Sequence, residues 1–195
     1  MKIFLCAAMA ALLTIVGSLW IDKLYRTSTE LTFPEKISER SKFRKLLIFC
    51  ALTIFFCLST DLRISAAIFL LTLMTATDFE QYMLFDAMTL PLAFFGVLFA
   101  WQTNFLDHAA AALIGGGFFL FLAFVTGALG GGDVKLIAAL GFWLGCEKLL
   151  NVVLIGSIAG GISALLMILA KKKDRNSYFA YGPYFTLAAI YFLLT

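Results

Sequence analysis

The sequence predicts an all-α, polytopic membrane protein: a single domain of about eight transmembrane helices over residues 1–195. Of the residues, 62% are hydrophobic and only 14% are charged, and the mean hydropathy is +0.97. A typical soluble domain is only about half apolar. The apolar residues fall into eight runs, at 3–21, 46–60, 64–77, 88–103, 109–127, 134–146, 149–170 and 178–194.

The distribution of basic residues predicts how this bundle lies in the bilayer. If the N-terminus faces outside and each run crosses once, twelve of the fifteen Lys and Arg residues fall on the inner side. An excess of Lys and Arg marks cytoplasmic loops, and the two largest basic clusters, 22–45 and 171–175, are then both inside. Run 3–21 is longer than the core of a signal peptide, so we expect it to be retained as the first span.

Composition also argues against several classes of function. The four cysteines (Cys6, Cys50, Cys57 and Cys146) all lie in apolar segments without a Cys-x-x-Cys pair, and the single histidine, His108, falls in a predicted outer loop. We therefore expect no metal site, no cofactor and no disulfide framework. The net charge of +3 is explained by membrane orientation, so we expect the lipid bilayer, and no nucleic acid, as a partner.

Two carboxylates stand at the ends of unusually short runs. Asp78 follows run 64–77, and Asp133 precedes run 134–146. A full crossing needs about 20 residues, so either polar residues are drawn into these helices or the acids lie below the membrane interface. An acid at a membrane span is costly and is a functional candidate. Both acids are expected at the cytoplasmic face, where they could form one site.

A pair of carboxyls held close together has a recognisable chemistry. The two groups share one proton over a range of pH, as in the dyad of aspartic proteases. The ionised acid activates a water molecule, and the protonated acid donates to the scissile carbonyl. The sequence predicts these roles for Asp78 and Asp133.

Three glycines, Gly130, Gly131 and Gly132, directly precede Asp133. Without a Cβ the chain can turn sharply there, and a peptide backbone can come close. Asp133 would then open the next helix, where the helix dipole favours its ionised form. The alternative is that the glycines only pack helices and Asp133 only caps one. The residues alone leave both interpretations open.

Both acid segments resemble the motifs of a known family. Residues 130–135, Gly-Gly-Gly-Asp-Val-Lys, resemble the Gly-x-Gly-Asp motif of type IV prepilin peptidases, which are membrane aspartic proteases. Residues 78–91, Asp-Phe-Glu-Gln-Tyr-Met-Leu-Phe-Asp-Ala-Met-Thr-Leu-Pro, resemble their other motif. Phe85 replaces the proline usual before the second Asp of that motif, which removes a constraint on the turn.

Weaker matches extend the resemblance over nearly the whole chain, in order. Gly17-Ser18 followed by Tyr25-Arg26 has the spacing of the family's first span, where an Asn usually stands at the position of Ile21. Ile37-Ser38 with Arg40 resembles the segment that leads into the second span. Tyr181-Gly182-Pro183-Tyr184 resembles the Phe-Gly-Pro-Phe near the family's C-terminus.

The resemblance assigns roles to the motif residues. It implies that Asp78 and Asp133 are the catalytic pair. Among the other polar residues of the motifs, we expect Glu80 to be an interfacial charge and Asp86 to cap the next helix. We expect Lys135 to anchor the inner side of the bundle rather than to pair with an acid.

The resemblance also implies a substrate and a place. The substrates would be prepilins or pseudopilins, with a basic leader that stays in the cytoplasm and an apolar N-terminal helix in the bilayer of the bacterial inner membrane. Many family members carry two Cys-x-x-Cys pairs in the first cytoplasmic loop, within a region linked to N-methylation. Here the loop at 22–45 is short and has no cysteine, so the resemblance implies a peptidase and does not extend to the methyltransferase.

Two other interpretations remain open at the level of the sequence. A small transporter or channel could use the acids to bind protons or cations, although transporters more often show internal repeats and acids near the midplane. Another Gly-x-Gly-Asp protease, such as an archaeal preflagellin peptidase or a presenilin-like enzyme, shares the second motif. The order of the motifs and the Leu-Pro that closes the first favour the bacterial prepilin branch.

Overall fold

The helices of this chain follow one another with short connections. The computed structural model describes residues 2–29, 31–59, 61–127, 129–170 and 180–195. In these ranges all the regular structure is helical. The elements are α1 (Lys2–Thr27), a 3₁₀ turn (Pro34–Lys36), α2 (Ile37–Arg40), α3 (Arg44–Leu58), α4 (Leu62–Gln81), α5 (Asp86–Gln102), α6 (Phe105–Thr126), α7 (Gly131–Leu169) and α8 (Gly182–Leu194).

The surface of the bundle is apolar over most of its area, as a lipid-facing surface must be. Large side chains such as Phe4, Leu106 and Phe124 are each at least 80% exposed, which is unusual for a protein surrounded by water. By length and composition α1, α4, α6 and α7 can each cross a bilayer, and α5 and α8 are shorter apolar helices. The predicted class, an all-α polytopic membrane bundle, is confirmed. The number of crossings stays a prediction.

Helix α7 is broken in its middle, as the separate runs 134–146 and 149–170 predict. Gly145 has φ 71° and ψ 179°, a backbone conformation that favours glycine. The Asp107 carboxylate of α6 accepts a hydrogen bond from the Cys146 N–H at 3.2 Å, which satisfies one of the donors left free where the helix restarts. The predicted loop position of His108 is wrong. It lies in the first turn of α6, and its Nδ1 is 2.9 Å from the Phe142 carbonyl oxygen.

Helix α4 lies at the centre of the bundle. Half of its most apolar window is buried, against 17–28% for the other three long apolar helices. It contacts α1 through Leu73, which packs on Gly17, and α8 through Thr75, whose hydroxyl is 2.7 Å from that of Thr186. Helix α4, with the acid at its end, is therefore held from two sides, by α1 and by α8.

Polar residues extend α4 beyond its apolar run. The run ends at residue 77, but the helix continues to Gln81 and includes Asp78 and Glu80. The first of the two interpretations of the short runs, in which polar residues are drawn into the helix, is confirmed for α4. Similarly, α1 continues to Thr27, because Ile21 and Tyr25 are buried. The loop predicted at 22–45 is thus shorter in the structure. The basic cluster 171–175 lies outside the described residues.

Glycines permit the closest helix contacts. The spacing of Gly156 and Gly160 predicts a tight helix interface, and the structure confirms it: α8 packs there through Phe185 on Gly156 and Tyr181 on Gly160. Between α6 and α7 the approach is closer still. A Cβ on Gly141 would overlap the backbone of Ala112, so two helix backbones are in direct contact.

This contact predicts an unequal effect of two glycine substitutions. Gly141→Ala should lower the free energy of unfolding by about 1–3 kcal/mol, because overpacking forces two helices apart. Gly117→Ala should leave it unchanged or raise it by about 0.5–1 kcal/mol, because a Cβ there meets nothing within 4 Å and alanine favours the helix. Denaturant unfolding in detergent, followed by circular dichroism, measures both. Equal effects of the two variants would contradict the packing described.

Candidate active site

Three helix ends meet at one end of the bundle. The last turn of α4 carries Asp78, the first turn of α7 carries Asp133, and α8 begins at Gly182. The amino ends of α7 and α8 present backbone N–H groups that have no partner within their own helices. These ends carry partial positive charge, which offsets part of the cost of burying the two acids.

Asp78 is 5% exposed and lies against the start of α8. A Cβ on Gly182 would be 2.6 Å from Asp78 Oδ2, so only glycine allows this approach. The backbone N–H of Gly182 faces the carboxyl. Among the described residues, Asp78 Oδ2 has no hydrogen-bond partner in normal geometry. It is therefore a buried polar atom whose hydrogen-bonding capacity the described residues leave unused.

Asp133 is held by the start of its own helix. Gly130 is the N-cap residue of α7, and its carbonyl accepts a hydrogen bond from the Asp133 N–H at 3.1 Å. In return the Asp133 carboxyl turns back over Gly130, whose N–H faces it. An acid at the third helical position that reaches back to the N-cap N–H is one half of a capping box; glycine has no side chain to supply the other half. The prediction that Asp133 opens the helix is confirmed.

The surroundings of the two carboxyls, at the end of α4 and the start of α7, share one side chain. Leu84, in the link after α4, lies beside both glycine contacts: its Cβ is 3.0 Å from the Cβ position of Gly132, and its Cδ2 is 3.5 Å from that of Gly182. Far apart in sequence, the two acids are thus neighbours in the fold. In the part of the chain described here, no group of three His, Cys, Asp or Glu side chains could hold a metal ion.

The glycine triplet acts differently from the prediction. The sharp turn was predicted at Gly130–Gly132, but among the described residues of this connection the left-handed one is Gly127, with φ 63°. Gly131 and Gly132 are already helical. The close approach is confirmed at Gly132, where Leu84 packs. The reason is that a helix C-terminus commonly ends on a left-handed glycine, and Gly127 ends α6.

The link between α4 and α5 keeps the shape that the family's proline would give. Tyr82 ends α4 in a left-handed conformation, with φ 54°, and its N–H donates to the Asp78 carbonyl at 2.9 Å. Phe85 has φ −79° and ψ 133°, within the range that proline adopts. Its ring is 5.9 Å from that of Tyr25. The backbone at Phe85 is therefore one that proline could also adopt.

The predicted capping role of Asp86 is wrong. Asp86 does not cap α5 with its side chain; it is the first residue of that helix, after the N-cap residue Phe85. Its carboxylate instead binds Lys135 Nζ at 2.7 and 2.8 Å. For Lys135 the less favoured of the two roles, pairing with an acid, is the one observed, and its role as an inner-side anchor stays a prediction. Because α5 and α7 are adjacent, the two motifs are joined by this exposed ion pair.

Glu80 is a buried ion-pair partner and not an interfacial charge. It accepts hydrogen bonds from Tyr25 Oη at 3.0 Å and Arg44 Nη1 at 3.2 Å. Arg44 also pairs with Asp22. The side chains of Arg44 and Glu80 are only 5% and 6% exposed. The expectation failed because the sequence around Glu80 gives no sign of a partner 36 residues away.

Sequence reasoning missed three residues of this region: Gly182, Arg44 and Tyr25. Gly182 and Tyr25 belong to segments that resemble the family, but no spacing rule connects either with the acids. Arg44 was counted only among the inner-side basic residues. Nothing in the basic segment 40–45 distinguishes Arg44 from its neighbours, so the sequence carries no signal of its buried pairing.

Known proteins match this chain over the same region. Residues 65–165 match the type IV leader peptidase family. The prepilin leader peptidase/N-methyltransferase of Pectobacterium carotovorum subsp. carotovorum is 35% identical over 130 residues, covering 62% of this chain and 47% of that protein. The protein of the same name from Neisseria gonorrhoeae is 36% identical over 129 residues, covering 62% and 43%. The chain spans less than half the length of these relatives. No solved structure matches it significantly.

The two ion pairs of this region predict different costs of removal. Arg44→Gln should lower the free energy of unfolding by about 3–5 kcal/mol, because it leaves the buried Glu80 unpaired. Lys135→Gln should cost less than about 1 kcal/mol, because both partners of that pair are more than half exposed and solvent screens them. Denaturant unfolding in detergent compares the variants. A cost for Lys135→Gln as large as that for Arg44→Gln would contradict the burial described.

Proposed function

Because the chain belongs to the type IV leader peptidase family, we propose that it is an aspartic endopeptidase that removes the leader of type IV prepilins or pseudopilins. One observation carries the proposal. Asp78 and Asp133, which match the family's two acid motifs, lie where the ends of α4, α7 and α8 come together, with Leu84 packed beside both Gly182 and Gly132. The names of the relatives give the substrate class.

The proposed mechanism divides the work between the two acids. Asp133, at the positive end of the α7 dipole, is the ionised partner and takes a proton from water. Asp78, buried beside it, carries the shared proton and donates to the carbonyl oxygen of the scissile bond. The Gly182 N–H faces Asp78 and keeps its carboxyl directed at the gap. After attack, the proton on Asp133 passes to the leaving amine. As the C–N bond breaks, Asp78 takes a proton back from a hydroxyl of the tetrahedral intermediate, which returns the pair to one shared proton.

The proposed place of the reaction is the cytoplasmic face of the bacterial inner membrane. The excess of basic residues on one side supports this orientation, with the N-terminus outside. The apolar helix of the substrate would then lie in the bilayer beside this bundle, and its basic leader would remain in the cytoplasm. Helical carbonyls are already hydrogen-bonded, so the substrate must be extended at the cut.

The family match favours this proposal over a transporter. The loop between α1 and α3 contains no cysteine, so we limit the proposal to the peptidase and do not extend it to the N-methyltransferase that the relatives' names include. We propose that residues 1–195 act as one peptidase unit, with the short loop predicted at 22–45 in place of a methyltransferase region.

Removal of either acid should stop the reaction. We expect Asp78→Asn and Asp133→Asn each to lower the rate of leader removal by at least about 100-fold, because each deletes a group that transfers a proton. The measurement is co-expression of each variant with a full-length prepilin and separation of precursor from mature pilin by gel electrophoresis. Asp61→Asn is the matched control, since Asp61 caps the other end of α4. Normal processing by both site variants would contradict the proposal.

A single methyl group at the start of α8 should have a similar but smaller effect. Gly182→Ala places a Cβ against Asp78 Oδ2 and should displace the carboxyl, with a loss of turnover of roughly 10- to 100-fold. Gly161→Ala is the control, because a Cβ there meets nothing within 4 Å. The measurement is the initial rate of prepilin cleavage by each purified protein. If Gly182→Ala cleaves at the rate of the Gly161→Ala protein, the described contact does not position Asp78.

A further inference from the structure

The last turn of α4 makes polar contacts on two opposite faces. Residues two apart on a helix point about 200° away from each other. Asp78 faces α7 and α8, so Glu80 points to the other side, where it meets Tyr25 of α1 and Arg44 of α3. Through Asp78 and Glu80, the last turn of α4 therefore connects the candidate site with α1 and α3.

The chain between α1 and α3 adds two more attachments to the same turn. Arg40 Nη2 donates to the Phe79 carbonyl at 2.7 Å, one of the carbonyls that the end of a helix leaves without an internal partner. Gln81 binds the backbone of Phe33 twice: its Oε1 accepts from the Phe33 N–H at 2.8 Å, and its Nε2 donates to the Phe33 carbonyl at 3.3 Å. Gln81 is fully buried.

Aromatic contacts close the arrangement over the end of the helix. The Arg40 guanidinium lies 4.3 Å from the centre of the Phe33 ring and 5.0 Å from that of Tyr82. The Phe33 and Tyr82 rings meet edge to face at 5.2 Å. Three successive residues of α4, from Phe79 to Gln81, are thus each bound by a different group, and Tyr82 is held after them.

We infer that Tyr25, Phe33, Arg40 and Arg44 form a positioning clasp, which fixes the rotation and height of the last turn of α4 and so places Asp78 opposite Asp133. This inference rests on the proposed function. Through Glu80, Phe79 and Gln81, the clasp holds the helix on the side away from the reacting groups. The effect on the reaction comes through Asp78, so these four are positioning residues and not catalytic ones.

Small changes in the clasp can test this without unfolding the protein. Tyr25→Phe removes only the hydroxyl that donates to Glu80, and leaves the Arg44–Glu80 ion pair in place. Gln81→Leu keeps the side-chain volume and removes both bonds to Phe33. Asp61→Asn, which alters an exposed acid at the other end of α4, is the control.

Two measurements are made on each purified variant. The first is kcat and KM for cleavage of a purified full-length prepilin, per mole of folded enzyme. The second is hydrogen exchange of residues 77–82 by mass spectrometry. We expect Tyr25→Phe and Gln81→Leu each to lower kcat by roughly 10-fold or more, to leave KM unchanged and to speed hydrogen exchange in residues 77–82. The control should change neither kcat nor the exchange rate.

Each result either supports the positioning role of the clasp or overturns it. A purely structural role would reduce the yield or the thermal stability but leave kcat per folded enzyme unchanged, and that result would overturn the clasp as a positioning device. Unchanged exchange in 77–82 would also overturn it. If the unaltered protein cleaves no prepilin, the proposed function fails, and the exchange data then decide whether the clasp fixes this turn.

Discussion

The approach of Gly182 to the Asp78 carboxyl is the contact on which the candidate site depends. It is possible only because residue 182 has no side chain. Pro183 follows at the start of α8 and has no N–H of its own, so the Gly182 N–H is the donor that this helix end directs at the acid. The contact fixes α8 against α4, and Leu84 between Gly182 and Gly132 then brings the start of α7 into the same place.

The interactions that hold this contact in place differ between the two sides of α4. Toward α7 and α8 the helices pack through glycines, with Phe185 on Gly156 and Tyr181 on Gly160. Lipid offers little driving force for helix association, so close packing of small residues supplies much of it. Toward α1 and α3 the support is a buried polar network around Glu80. Hydrogen bonds in such surroundings fix geometry, because a lost partner leaves a costly unpaired group.

Much of the fold could be predicted from the sequence, since long apolar runs and the distribution of basic residues are local signals. The break in α7 was visible as two runs, although the role of Asp107 in capping it was not. The two acids of the candidate site were also visible, because Asp78 and Asp133 interrupt apolar segments. The residues that surround the two acids in the fold could not be identified from the sequence. The contact with Gly182 joins residues 104 positions apart in the chain, and the partners of Glu80 come from α1 and α3. Contacts of this kind depend on tertiary packing, which no local pattern encodes.

The central claim is that the side chains of residues 78 and 133 face each other at one end of the bundle. Cross-linking tests it most directly, in a protein whose four native cysteines are replaced, with the cysteine pair Asp78→Cys and Asp133→Cys and a short bifunctional maleimide. The account predicts an internal cross-link for this pair, and none for Asp61→Cys with Asp133→Cys, because α4 separates positions 61 and 78 by about 25 Å. The pair Leu84→Cys and Gly132→Cys shows that the protein is folded. If that pair links and the 78–133 pair does not, the two acids do not converge and the account is wrong.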